Sequence, residues 1–363
     1  AALLVRDSES LEADLDALGR GEGAALRGTA AAGGRSRVAF LFTGQGAQGV
    51  GMGRELYETE PAFREALDRC AATLDPLLGR SLREVMFEET GGLLDQTGYT
   101  QPALFAIGIA LAALWRSWGI EPAVVTGHSV GEFAAAVVAG VLTVEDGARL
   151  IAARGRLMQA LPAGGAMVSV QGDVAMVRRE IAAHADKVSI AAFNAPGTVV
   201  VAGAKPEVEA IAARLSAQGA QTRPLVVSHA FHSPLMDPML EEFRAIAATV
   251  AHAPPAVTWI SNLTGTALDW SAWGTRMADY WTSHVREPVA FERGMSALAV
   301  AACDAHLEIG PHPILLGLGM QCIPEGRPVE WLPSLRRGKG ARETMLESVG
   351  RLYVRGARPG WRA

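Results

Sequence analysis

The sequence predicts an α/β protein: a parallel-sheet core with a small β-α-β-β-α-β unit inserted into it. Three observations predict this. Val38-Ala39-Phe40-Leu41-Phe42 is a continuous apolar run ended by Gly44-Gln45-Gly46-Ala47-Gln48, the pattern of a strand buried on both faces with a tight loop after it. Strand-like and helical patterns then alternate as far as about Ala139, as they do in a parallel sheet covered by helices. From Gly165 to Ser228 the alternation gives way to a ferredoxin-like order.

In chain order, Leu11, Leu15 and Leu18 stand at helical spacing behind Ser8 and Ser10, predicting a short helix, and Gly21 to Gly34 reads as a linker. The strand at Val38 opens the core. Helical patterns follow over Pro61 to Leu78 and Pro102 to Trp118, then a strand at Ala123 to Thr126 and a helix from about Glu132 to Ala139. The inserted unit reads as strand (Ala166 to Val170), helix opened by Asp173, strands (Val188 to Phe193 and Thr198 to Ala202), helix (Pro206 to Gln218) and strand (Pro224 to Val227). Val257 to Ile260 and His306 to Ile309 are expected to rejoin the first sheet. After Pro333, arginines flank a helical stripe of Met345, Val349 and Leu352, expected to pack along the surface. The expected organisation is a linker over 1–36, a large subdomain over 37–163 and 233–333, a small one over 164–232 and a second linker over 334–363. A cleft between core and inserted lobe is a favoured place for a ligand.

Composition narrows the function. Lys and Arg total 33 against 38 Asp and Glu, a net charge of -5, so no basic field exists to hold nucleic acid. The three cysteines, Cys70, Cys303 and Cys322, lie far apart in no metal-ligand spacing, which suits free thiols in the cytosol. Ala103 to Trp115, the longest apolar run, is too short to span a bilayer, and no secretory pattern opens the chain. A start at Ala1-Ala2 without Met is expected of a piece of a longer polypeptide.

Gly127-His128-Ser129-Val130-Gly131, between an apolar strand and a helix, matches a nucleophile elbow. Such a turn places the Ser129 oxygen near a helix N-terminus, where amides such as that of Val130 can stabilise an oxyanion. A serine needs a base to take its proton. His128 is adjacent, but its side chain should point away along the turn. His229 and His232 in Ser228-His229-Ala230-Phe231-His232-Ser233, and His312 in a proline-rich turn, are the other candidates, and spacing does not choose among them. Gly44-x-Gly46-x-x-Gly49 fits a dinucleotide-binding pattern, but that motif needs an acid about 20 positions on at the end of a second strand, where this sequence is helical. Its glycines better serve to bring amides close to a ligand oxygen. Arg154 stands on a largely apolar helical stretch; it is either a surface residue or a buried fork for a carboxylate.

These segments resemble the acyltransferase domains of type I polyketide synthases and the malonyl-CoA:acyl carrier protein transacylases. The resemblance runs from about Arg37 to Leu335. It rests on Gly44-Gln45-Gly46-Ala47-Gln48, Thr100-Gln101-Pro102-Ala103, Gly127-His128-Ser129-Val130-Gly131-Glu132, Arg154-Gly155-Arg156, Phe193-Asn194-Ala195-Pro196, His229-Ala230-Phe231-His232 and Glu308-Ile309-Gly310-Pro311. The flanks resemble the linkers that such domains carry after a ketosynthase and after the acyltransferase core.

The resemblance implies an α/β-hydrolase-like core in which Ser129 is the acylated nucleophile and His232 its base, oriented by a backbone carbonyl. It implies an oxyanion hole from the amides of Gln45 and Val130, a carboxylate clamp at Arg154, and a pocket shared by Gln101, His128 and Asn194. Malonyl-selective members typically carry His-Ala-Phe-His, as here at His229 to His232, so Phe231 is expected to fill the space of an α-methyl branch, a discrimination of about 1–3 kcal/mol. The implied activity is ping-pong transfer of malonyl from malonyl-CoA to the phosphopantetheine thiol of an acyl carrier protein, beside a ketosynthase, with no metal or resident cofactor. Methylmalonyl or an unusual extender unit is the alternative for the same chemistry. A serine hydrolase such as an editing thioesterase is the rival, but Asp173, Glu180, Asp186, Glu207 and Glu209, which lie between Ser129 and His232, all fall at helix or loop positions of the inserted lobe.

Overall fold

β1 (Val38–Phe42), buried along its whole length, is the middle strand of a five-stranded sheet. The computed structural model describes residues 1–4, 8–22, 25–28, 36–88, 91–323 and 329–360. Most of the linker expected over Gly21 to Gly34 lies outside them. β1 is flanked by β2 (Pro122–Gly127) and, on its other side, by a strand at Ala305–Ile309, and every pairing in the sheet is parallel. A strand at Thr258–Ile260 lies beyond β2, and one at Glu330–Pro333 closes the opposite edge. Phe42 pairs with both Gly127 and Ile309, so the loops after these three strands emerge together at one end. Ligand sites of parallel sheets form at that end.

The inserted unit has its own sheet of β3 (Gly165–Gln171), β4 (Val188–Ala195), β5 (Thr198–Ala204) and β6 (Gln221–Pro224), antiparallel in the order β4-β5-β3-β6. Continuing in chain order, Thr258–Ile260 is β7, Ala305–Ile309 is β8 and Glu330–Pro333 is β9. Alternation along β5 shows how the small sheet serves two cores. Val199 and Val201 pack with Val208, Ile211 and Leu215 of the helix Lys205–Ala217, whereas Val200 and Ala202 face the main core. Hydrogen bonds of 2.9 Å join Val289 to Ala191 and Phe193 to Val289, tying the lobe to the large sheet's side of the molecule.

Two boundaries differ from the sequence reading. The helix expected from Pro102 begins at Thr97 and runs to Ser117. Pro102 has no N–H for the Gly98 carbonyl, but the first turn is held instead by Thr100 Oγ1, which donates to Leu94 O (2.6 Å) and Gln96 O (3.0 Å). At 21 residues this helix is long and apolar enough to cross a membrane, and 83% of its most apolar window is buried inside the fold. The last strand of the lobe lies at Gln221–Pro224, not at Pro224 to Val227. Its polar residues pair with β3 at the edge of the sheet, and the apolar Leu225, Val226 and Val227 leave it to line a cavity. At the C-terminus, the helix Ala341–Val354 buries Met345, Val349 and Leu352 in the main core.

Candidate active site

The turn after β2 is tight because two glycines make it so. A Cβ on Gly127 would come within 2.3 Å of the Gly131 carbonyl carbon, and one on Gly131 within 2.2 Å of Phe42 O. Between them Ser129 adopts φ 49°, a left-handed conformation that costs a residue with a side chain about 1–3 kcal/mol. Asn262, just beyond β7, pins it: its Oδ1 accepts from Ser129 N (2.6 Å) and its Nδ2 donates to Gly127 O. Asn262 is in turn held by its own N–H, which donates to Glu132 Oε2 (2.9 Å).

Ser129 Oγ lies 2.7 Å from His232 Nε2. His232 Nδ1 lies 2.9 Å from Glu287 O, an acceptor only, so the proton sits on Nδ1 and the Nε2 lone pair faces the serine. His232 also has a left-handed backbone, φ 56°, with its carbonyl fixed by Ser189 Oγ at 2.8 Å. Burial, chiefly, then the charge of Arg154, hold its pKa well below the usual histidine value, so the imidazole is neutral at pH 7.

Arg154, on the helix Val144–Gln159, is 1% exposed. Nη1 donates to Gln101 Oε1 (2.7 Å), Nη2 donates to Ser129 Oγ (3.2 Å), and the guanidinium lies 5.8 Å from the centre of the Phe133 ring. Its Nε is buried with no hydrogen-bond partner among the described residues. Burial lowers its pKa to about 9, which leaves it charged at pH 7. Burial pushes the carboxyl of the neighbouring Glu132 up to about 8, opposed by hydrogen bonds from the Tyr280 hydroxyl and the Asn262 N–H and by the charge of Arg154. His284 Nε2 lies 3.3 Å from Glu132 Oε2 but makes no aligned hydrogen bond, and burial keeps this ring neutral, so the contact is not an ion pair. The site therefore holds a desolvated cation with its Nε unpaired among the described residues, an arrangement that an incoming anion would relieve.

The other sequence candidates separate cleanly. His128 turns to Asn194, with Nε2 2.8 Å from Oδ1, and does not serve the serine. His229 is bound to Ser228 Oγ (3.0 Å) and Leu161 O (3.1 Å), while His312 Nδ1 accepts from Arg337 N at 3.3 Å. Asp173 caps its helix, and Glu180 and Glu207 pair with Arg214 and Lys187, so these acids are engaged within the lobe. A cavity of about 810 Å³ between the two sheets is lined by Gln45, His128, Ser129, Asn194, Phe231 and His232 among others. Gln101, expected in the pocket wall, is 1% exposed and lies behind Arg154, its Nε2 on Met158 Sδ; its short carboxamide is used to hold the guanidinium. The N–H groups of Gln45 and Val130 donate to no acceptor among the described residues, and Val130 stands at the N-terminus of the helix Gly131–Val138. Among those residues no His, Cys, Asp and Glu cluster could hold a metal ion.

Sequence reasoning assigned no role to Asn262, Tyr280 or His284, and it expected a backbone carbonyl to orient His232 without naming Glu287. For Asn262 a signal existed: Ser261-Asn262 directly follows a strand of the parallel sheet, at the end where Ser129 follows its own.

Residues 39–359 match the family described as acyl transferase domain. The chain is 44% identical over its full length to the polyketide synthase GfsA of Streptomyces halstedii and 43% identical to the mycoketide-CoA synthase of Mycobacterium tuberculosis, spanning only 5% and 9% of those proteins. Among solved structures, it resembles the acyltransferase domain from the second module of the salinomycin polyketide synthase (43% identity, TM-score 0.92, covering 99% of this chain and 83% of that one). It also resembles an acyl carrier protein S-malonyltransferase of Vibrio cholerae (30% identity, TM-score 0.75, covering 86% of this chain and 100% of that one).

Proposed function

The chain belongs to the acyl transferase domain family, in the form found in polyketide synthases, and we propose that it moves malonyl from malonyl-CoA to an acyl carrier protein through an acyl-Ser129 intermediate. The observation that carries this reading is Arg154: a buried cation 3.2 Å from the serine oxygen, whose Nε has no hydrogen-bond partner among the described residues, is suited to the free carboxylate of a dicarboxylic acyl group. The malonyltransferase name of the Vibrio relative supports the same donor.

His232 Nε2 takes the Ser129 proton as the serine oxygen attacks the thioester carbonyl. The resulting oxyanion lies between the Gln45 and Val130 amides. As the tetrahedral intermediate collapses, the C–S bond breaks and His232 returns its proton to the CoA thiolate. The phosphopantetheine thiol of the carrier then reverses the sequence, giving its proton to His232 and leaving Ser129 free. An acyl-serine must outlast the exchange of CoA for carrier, and apolar walls at Met167, Ala191, Val200, Leu225 and Leu318 disfavour ordered water there. Phe231, 8% exposed and in the cavity wall, is the residue that would exclude an α-methyl branch. In a larger synthase the natural neighbours would be a carrier protein and a ketosynthase.

The test is to incubate the protein with a holo acyl carrier protein and malonyl-, methylmalonyl- or acetyl-CoA, and to read the mass of the carrier. Malonyl-carrier should dominate. An equal yield of methylmalonyl-carrier would discard Phe231 as selector while keeping the transferase, and free acid with no acylated carrier would make the protein a hydrolase.

A further inference from the structure

Beyond β9 the chain turns through 334–340 and carries three cations in four positions: Arg336, Arg337 and Lys339, all exposed. Arg337 is the fixed member. Its Nη2 donates to Gln48 O (3.0 Å), its N–H donates to His312 Nδ1 (3.3 Å), and the guanidinium lies over Gly49, where a Cβ would stand 3.6 Å from Nη2. That position makes Arg337 part of the wall of the cavity that holds Ser129. It equally lines an adjoining cavity of about 350 Å³, together with Arg336 and Lys339. Three acids nearby are engaged elsewhere. Glu55 accepts from the N–H groups of Ala341 (2.6 Å) and Arg342 (3.1 Å), Glu60 pairs with the Arg342 side chain (3.1 Å), and Asp95 accepts from Gln48 Nε2 (3.1 Å). Among the described residues no carboxylate forms an ion pair with Arg336, Arg337 or Lys339. Their field is felt locally: after burial, Arg337 and Arg336 are the next causes holding the His312 pKa below the usual value.

Exposed cations taken singly hold an anion weakly. Three without counter-ions at the rim of a cleft concentrate their field there. We propose that Arg336, Arg337 and Lys339 form a phosphate subsite for the pantetheine phosphate that the CoA donor and the carrier's prosthetic arm have in common. This rests on the transferase reading above, since it is the acyl end at Ser129 that brings the pantetheine arm out through this opening. The phosphate takes no part in the chemistry, so the contact holds ground state and transition state alike and acts on capture of the thioester.

The experiment compares the second-order rate of Ser129 acylation by malonyl-pantetheine, malonyl-4′-phosphopantetheine and malonyl-CoA, in wild type, Arg337→Ala and the double variant Arg336→Ala/Lys339→Ala. The quantity read is the preference for each phosphorylated donor over malonyl-pantetheine, because general damage to the fold lowers all three rates and leaves that ratio alone. Loss of charge-assisted contacts should cut the preference about tenfold for both phosphorylated donors, and added salt should erode it in the wild type. An unchanged ratio overturns the proposal. A loss confined to malonyl-CoA overturns it too, in favour of contacts to the nucleotide alone. If wild type forms no adduct with any donor, the failure is that of the transferase reading and is seen before any variant is compared.

Discussion

Arg154 and His232 divide the work at Ser129, and each makes a separate forecast. Arg154→Ala removes the partner of the donor's carboxylate, so malonyl loading should fall by about 10²-fold, the equivalent of the roughly 3 kcal/mol of a charge-assisted hydrogen bond. Acetyl loading, which never used the guanidinium for a carboxylate, should fall far less, and competition between the two donors read by mass checks it. His232 acts only while neutral, and its pKa is depressed. The rate therefore persists as pH falls through about 6.5, where an ordinary histidine would be half protonated, and the acid limb of kcat/KM should lie well below that value. An acid limb at 6.5 would mean that the imidazole is not held by burial. The motif Gly127 to Gly131 made Ser129 legible in the sequence. Spacing did not choose among His229, His232 and His312, and only the family resemblance pointed to His232, because the choice is set by a left-handed backbone at His232 and by a carbonyl 55 positions away at Glu287, neither of which leaves a local pattern.

The elbow is an element held from outside itself. Its strain at Ser129 is offset by Asn262, which bonds the turn on both sides, and Asn262 is fixed by Glu132 from the helix that the turn begins. Asn262→Ala should leave Ser129 N and Gly127 O without these partners, lowering stability by about 1–3 kcal/mol per buried group left unsatisfied. Acylation should slow with little change in donor affinity. Urea denaturation and single-turnover loading measure the two effects, and restoration of both by Asn262→Ser would argue that the clamp geometry is irrelevant. Among the elements, sequence periodicity placed the buried strand at Val38–Phe42 and the helix Pro61–Leu78 well. It misplaced the start of the helix at Thr97, because a proline reads as a first-turn residue unless side-chain bonds such as those of Thr100 hold an earlier turn. It also extended the lobe's last strand into Leu225 to Val227, whose apolar character serves the cavity and not the sheet.

At the scale of the whole molecule, the site exists only because an antiparallel lobe, inserted between β2 and β7 of a parallel sheet, closes over the loops of that sheet. The order of strand and helix patterns was enough to anticipate the insertion. Which face of the lobe meets the cleft was not legible, since β5 is apolar on both faces and both are buried. The fold buries titratable groups, and this sets how it responds to acid. His128, His232, His252, His284 and His312 all have pKa values lowered chiefly by burial. The unfolded chain binds protons at these positions below about pH 6.5 before the folded one does, so stability falls as pH drops through that region. Glu132 and Glu308, raised by burial, act in the opposite sense, gaining stability as they protonate, but they are fewer. Denaturation midpoints should decline between pH 7 and pH 5, and a midpoint that rises over this interval would contradict the assignment of neutral buried histidines.

Whether a malonyl group is carried on Ser129 is read from intact-protein mass after brief exposure to malonyl-CoA without carrier. Wild type should show a single malonyl mass increment, absent from Ser129→Ala. An increment that survives in Ser129→Ala, or free CoA accumulating with no increment on wild type, would contradict a malonyl group carried on Ser129.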